Sequence, residues 1–247
     1  MKGFGHDGFP FDRFRDLLLP RRRRGPAGRG EDEDQDQCTL HTPDNCEMQA
    51  AIIDGIMPEP RRHQRYTYAD YVALETVSVE KHEFIDGEIF VMAGGSAEHS
   101  ALAAETIYAL RGALRDGPCR VHTSDLRIYV EAVGLATYPD ASVICGALQQ
   151  HEASPESTAV NPAILVEVTS NSSEEYDLGV KREYYQTIES LREYIIVSHR
   201  ERRITVHARG NDGAWTTRAA TAGELVEVPS LQAQLAVDEV YRNSSIV

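Results

Sequence analysis

The pattern of apolar and polar residues from Met1 to about Arg62 differs from the rest, and from Tyr66 onward apolar residues fall into short regular blocks. Thr67 followed by Asp70 makes a capping-box start for a short helix through Glu75. In "HEFIDGEIFVMA" two alternating runs flank Asp86-Gly87, a dipeptide suited to a tight turn with positive φ, so the pattern predicts a hairpin. A helix from about Glu98 to Arg115 comes next, then strands near Cys119 to His122 and Leu126 to Val130, and another in "YPDASVIC". Ala163 to Thr169 reads as a buried strand, Gly179 to Ile188 as a helix, and Glu193 to Val197 and Arg203 to Ala208 as strands. Turn-rich "GNDGAW" leads to two weak strands and a short terminal helix near Val237. With no internal repeat, this order predicts one mixed α/β domain over residues 63–247, a mixed central β-sheet flanked by helices and preceded by the hairpin. Residues 1–62 set the basic and acidic blocks of "RRRRGPAGRGEDEDQDQ" side by side and predict a disordered charged tail. A basic arm that touches DNA is the functional alternative.

Composition narrows the classes. A formal net charge of −14 counts against a broad nonspecific grip on nucleic acid. It leaves room for a local site, because a bound cation reverses the field around clustered carboxylates. No apolar run approaches the ~20 residues of a membrane span. Leu17 to Leu19 is too short for the apolar region of a signal peptide, and Arg21 to Arg24 come after it, so export is not expected. Cys38, Cys46, Cys119 and Cys145 show neither metal-ligand spacing nor the density of a disulfide scaffold, which fits a reducing cytoplasm.

The strand from Ala163 to Thr169 carries a carboxylate, Glu167, among aliphatic residues. Taking a carboxylate out of water costs several kcal/mol, of order ~5, unless something compensates it, so Glu167 needs a partner. On the next helix Val180, Tyr184, Tyr185 and Ile188 span an arc centred on Lys181, which turns that lysine inward; a lysine snorkelling to water is the bland alternative. His99 starts the buried stripe of the preceding long helix, where a core histidine bonded to backbone is the ordinary reading. Glu83 sits on the first hairpin strand, where an ordinary cross-strand partnership, for instance with a basic side chain, is the simpler account. Pro139 marks a strand beginning, and Asp140 follows it. If the Asp140 and Glu167 strands are neighbours, their carboxylates meet and repel unless a cation lies between them. Oxygen donors of this kind favour Mg²⁺ or Mn²⁺ over zinc.

Asp140, Glu167 and Lys181 resemble the active-site pattern of the PD-(D/E)XK nuclease superfamily, and more closely its Uma2 branch of restriction endonuclease-like proteins. The resemblance covers roughly Tyr66 to Tyr241 and is carried by "HEFIDGEIFVMA", His99, "YPDASVIC", "VEVTS", "YDLGVKREYY" and "SLREYIIVS". The superfamily lysine normally stands two residues after the acidic residue, where this chain has Thr169; Uma2-like chains carry it on the following helix, where Lys181 stands. Asn171 occupies a position where the branch often has proline. The resemblance implies a restriction-endonuclease-like core and a metal-dependent endonuclease acting on DNA, with no membrane partner and a homodimer left open. It implies Mg²⁺ or Mn²⁺ held by Asp140, Glu167 and the Val168 carbonyl, with Lys181 orienting water or stabilising charge at phosphorus. Glu83 and His99 would support the metal's outer shell. A Tyr184 hydroxyl would contact phosphate, with packing the plainer role for Tyr184 and Tyr185. Rival readings are a catalytically silent DNA- or protein-binding module on the same fold, a Mg²⁺-dependent hydrolase of small phosphate esters, and a purely structural Glu167–Lys181 salt bridge.

Overall fold

The computed structural model describes residues 65–114, 117–154 and 157–247, so the disordered tail expected over 1–62 lies outside the described residues. Helix α1 (Tyr68–Val77) opens on a capping box: the Thr67 hydroxyl accepts from the Asp70 backbone N–H, and Asp70 accepts from that of Thr67. Strands β1 (His82–Ile85) and β2 (Glu88–Val91) form the predicted hairpin, with Asp86 at φ 46° and Gly87 at φ 83° in its turn. Helix α2 (Ala97–Leu114) precedes β3 (Cys119–Thr123), β4 (Arg127–Val130), β5 (Leu135–Thr137), β6 (Ala141–Cys145) and β7 (Thr158–Ala159). Strand β8 (Ile164–Val168) leads into two short helices, α3 (Glu174–Leu178) and α4 (Val180–Gln186). The chain ends with β9 (Glu193–Val197), β10 (Arg203–Arg209), β11 (Trp215–Thr221), β12 (Leu225–Val228), β13 (Ala233–Ala236) and α5 (Val237–Val240).

Two mixed sheets and a small ribbon result. One runs β11-β10-β9-β8-β6-β3, with β8 and β9 parallel; another runs β2-β1-β5-β4-β7; β12 pairs with β13. Strands β8 and β9 are buried along their whole length and apolar but for Glu167 and Glu193, because both faces of their sheet are covered. Ile164, Val166 and Val168 face α2 through Leu102, Leu110 and Leu114, joined by Val237, Val240 and Tyr241 from the C-terminal end. Leu165, Tyr194 and Ile196 point the other way, toward Ile128, Val130 and Leu135 of the second sheet and Tyr185 and Ile188 at α4. The mixed α/β architecture is the one the sequence predicts. Its second sheet takes a place where flanking helices were expected.

The cysteines depart from expectation. Cys119 and Cys145 are directly opposite across the antiparallel β3–β6 pair and are joined by a disulfide. A separation of 26 residues conceals the pairing, since only the strand register brings the two together. No helix among the described residues is long and apolar enough to cross a membrane.

Candidate active site

Strand register brings the two acids together. Strands β6 and β8 are antiparallel, with Ala141 opposite Val166 and Val143 opposite Ile164, and one further step along the same register puts Asp140 opposite Glu167. Directly opposed residues share a sheet face, here the face toward α4. The Asp140 Oδ2 accepts the Val168 N–H at 2.7 Å. His99, near the start of α2, places Nε2 3.3 Å from the same oxygen. A Cβ at Gly95 would lie 2.6 Å from His99 Nδ1, so a bare glycine there makes room for the ring.

Lysine reaches the site from the other side. Gly179 ends α3 and begins α4 with φ −105° and ψ −109°, and a Cβ at this position would stand 2.8 Å from the Glu175 carbonyl oxygen. Beyond this break Lys181 Nζ lies 2.8 Å from Glu167 Oε1 and 3.6 Å from Asp177 Oδ1. Tyr185 donates its hydroxyl to the same Glu167 oxygen at 2.8 Å. The rings of Tyr176 and Tyr185 have centroids 5.5 and 5.7 Å from the ammonium. Glu167, Asp177 and Lys181 are only 5, 2 and 4% exposed.

Burial pushes the Glu167 carboxyl up to about 8, with Lys181 pulling down and Asp177 and Asp140 adding to the rise. Burial raises Asp177 too, against the pull of Lys181. For Lys181 burial disfavours the charge, yet Glu167, Glu83 and Asp177 together hold its ammonium well above the ordinary value. The hydrogen bond to Asp140 raises the His99 imidazole against burial, and the Val168 carbonyl and the charge of Glu167 add to it. Carboxylates outnumber cations in this space. Such an excess calls for protons or a further positive charge.

The donor set suits a hard cation. Asp140, the Val168 carbonyl and the charge of Glu167 all favour the protonated His99 ring, which marks this end of the paired strands as a place that favours positive charge. The contacts described above fall on one oxygen of each acid, Oδ2 of Asp140 and Oε1 of Glu167. Among the described residues no three His, Cys, Asp or Glu side chains form a metal-holding group, so a cation here would depend on a backbone carbonyl and water.

Asp140, Val168, Glu167, Lys181 and His99 are therefore brought together. Glu83 stands opposite Phe90 in the hairpin and takes no basic cross-strand partner; it accepts hydrogen bonds from the Tyr176 hydroxyl and from Thr137 Oγ1 at 3.3 Å, and its charge acts on Lys181. Tyr184 is half-buried against the second apolar cluster, and the hydroxyl that reaches Glu167 belongs to its neighbour Tyr185. Thr169, in the position of the usual superfamily lysine, bonds His199 Nδ1 at 2.8 Å. Sequence reasoning missed Asp177 and Tyr176. The Asp177 and Lys181 spacing of i, i+4 is a legible sign of an ion pair, hidden by the glycine between them.

Comparison with known proteins bears on this arrangement. Uncharacterized protein slr1290 of Synechocystis sp. is 32% identical over 173 residues, covering 70% of this chain and 90% of the relative. Uncharacterized protein sll1609 of the same organism is 31% identical over 149 residues, 60% of this chain and 84% of the relative. A crystal structure from Anabaena variabilis, described as a putative nuclease belonging to DUF820, superposes with a TM-score of 0.56 at 16% identity, covering 70% of this chain and 97% of that one; this likeness shows a shared fold. The Uma2 family model, described as "Putative restriction endonuclease", matches residues 68–238. Since that match takes in most of the sequence, the chain belongs to the Uma2 family.

Proposed function

We propose that the protein is a metal-dependent endonuclease that hydrolyses phosphodiester bonds in DNA, with Asp140, Glu167 and Lys181 at its centre. The observation that carries this reading is the meeting of buried Glu167 with the partly exposed, opposed Asp140 and an inward lysine, an arrangement with more negative than positive charge. Asp140, Glu167 and the Val168 carbonyl would hold Mg²⁺ or Mn²⁺, which supplies polarisation of the phosphodiester and a lowered pKa for bound water. Lys181 stabilises negative charge developing on the phosphoryl oxygens or orients the water. Tyr185 and Lys181 fix one oxygen of Glu167, and His99 and the Val168 N–H fix one oxygen of Asp140, so each carboxylate is aimed by its neighbours. Glu83 supports the cation's surroundings and the charge of Lys181. A DNA substrate puts the working place in the cytoplasm, where reducing thiols would meet the Cys119–Cys145 pair.

The closed Lys181–Glu167 contact favours a second reading, a catalytically silent DNA- or protein-binding module on the same fold. One assay separates the two. Purified full-length protein is incubated with supercoiled and single-stranded DNA in Mg²⁺, Mn²⁺ or chelator, alongside Asp140→Ala and Lys181→Ala. The nuclease reading expects metal-dependent nicking that both substitutions abolish. DNA binding without cleavage in any metal would replace it with the silent module.

A further inference from the structure

We infer that Asp177 is the positioning residue of this site, a second anionic seat that keeps Lys181 in place when Glu167 turns its charge to a metal ion. The inference rests on the nuclease reading above. Lys181 Nζ has two carboxylate neighbours, Glu167 Oε1 at 2.8 Å and Asp177 Oδ1 at 3.6 Å. The closer one belongs to an expected metal ligand. Once a divalent cation draws on Glu167, the ammonium faces a positive charge where it had a partner, and at 4% exposure it has little access to water. Without another anion it would stay on Glu167 and compete with the cation, or leave the site.

Asp177 removes that dilemma. Its carboxylate is 2% exposed, and it lies one helical turn before Lys181 across the Gly179 break. The backbone around it is anchored: the Asp177 N–H donates to the Ser173 carbonyl, and the Tyr194 hydroxyl donates to the Asp177 carbonyl at 3.1 Å. Asp177 is therefore fixed independently of Glu167. The rings of Tyr176 and Tyr185 also lie close to the ammonium, with centroids 5.5 and 5.7 Å away. A surface ion pair at this spacing would contribute little, whereas a buried one directs where the charge rests.

The test uses the full-length protein with Asp177→Asn, which keeps shape and removes charge, and Asp177→Glu, which restores charge. Mn²⁺ binding is measured by calorimetry, and nicking of supercoiled DNA is followed in single turnover at saturating Mn²⁺ and DNA. Circular dichroism confirms that each variant is folded. We expect Asp177→Asn to bind Mn²⁺ more weakly and to nick more slowly, each by about 10-fold or more, with DNA affinity unchanged and with Asp177→Glu recovering most of both losses. Unchanged Mn²⁺ affinity and rate in folded Asp177→Asn overturns the inference, as does equal loss in Asp177→Glu, which would mark a need for shape instead of charge. If the wild-type protein binds Mn²⁺ but never nicks DNA, the nuclease reading fails, and the Mn²⁺ titrations alone still decide the role of Asp177.

Discussion

Metal binding should be governed by the proton on Glu167. Burial lifts this carboxyl from an ordinary 4.5 to about 8 against the pull of Lys181, so across the neutral range a proton competes with a cation for it. Two pH units below that midpoint only ~1% of sites carry the ionised form, and apparent Mn²⁺ affinity at pH 6 should be about 100-fold weaker than at pH 9, rising about tenfold from pH 6 to 7 and levelling off above pH 8. The sign for folding follows from the same shift. Because the folded chain holds this proton more tightly than the unfolded one, the contribution of Glu167 to stability is fully present below about 4.5 and is lost as pH rises through about 8. Calorimetric titration with Mn²⁺ at pH 6 to 9, in buffers of differing ionisation enthalpy, reads both affinity and proton release. At least one proton should leave per ion at pH 6 and almost none from Glu167 at pH 9. The Glu167→Gln variant should show neither steep pH dependence nor strong binding. Affinity that stays flat from pH 6 to 9, with no proton released, would refute the reasoning.

Other outcomes follow from single contacts. Tyr185→Phe removes the hydroxyl bonded to buried Glu167 and should cost ~1–2 kcal/mol in denaturant unfolding; no measurable loss would mean that the bond carries no net stability. Gly179→Ala forces a Cβ to within 2.8 Å of the Glu175 carbonyl oxygen, a backbone atom that cannot easily yield, so the melt should show a loss of more than about 1 kcal/mol; an unchanged midpoint would count against the tight junction. Non-reducing digestion with mass spectrometry should recover Cys119 joined to Cys145, and reduction should lower stability by about 3 kcal/mol; intact free thiols at both positions would rule out the pairing.

The elements with local chemistry are legible in the sequence. Thr67 and Asp70 mark the start of α1, Asp86-Gly87 marks the hairpin, and the aliphatic residues around Glu167 mark β8 as a strand covered on both faces. Four strands and helices escape: β5 and β7 are three and two residues long, too short for a period to register, α3 is five residues broken from α4 at Gly179, and β13 is a third strand where two were expected. The inward turn of Lys181 is legible in the apolar arc of its helix, and the cost of burying Glu167 is legible in its neighbours. That Asp140 stands opposite Glu167 depends on β6 lying beside β8, which is a matter of sheet order and has no mark in either strand. The same is true of Cys119 and Cys145. Asp177 was masked because acidic residues in a first helical turn are commonplace there, favoured by the helix dipole.

Because the lysine is carried by α4 and the acids by β8 and the residue that leads into β6, the two halves of the site belong to structures of unequal toughness. The strands lie in the most deeply packed layer, whereas α3 and α4 are two brief turns joined at one glycine. Transient fraying of that helical pair would withdraw the ammonium and leave the paired acids standing, giving a silenced yet still folded population. Amide exchange across 174–186 that outpaces exchange in β8 would be its signature, and mild denaturant would then extinguish activity well before the sheet melts.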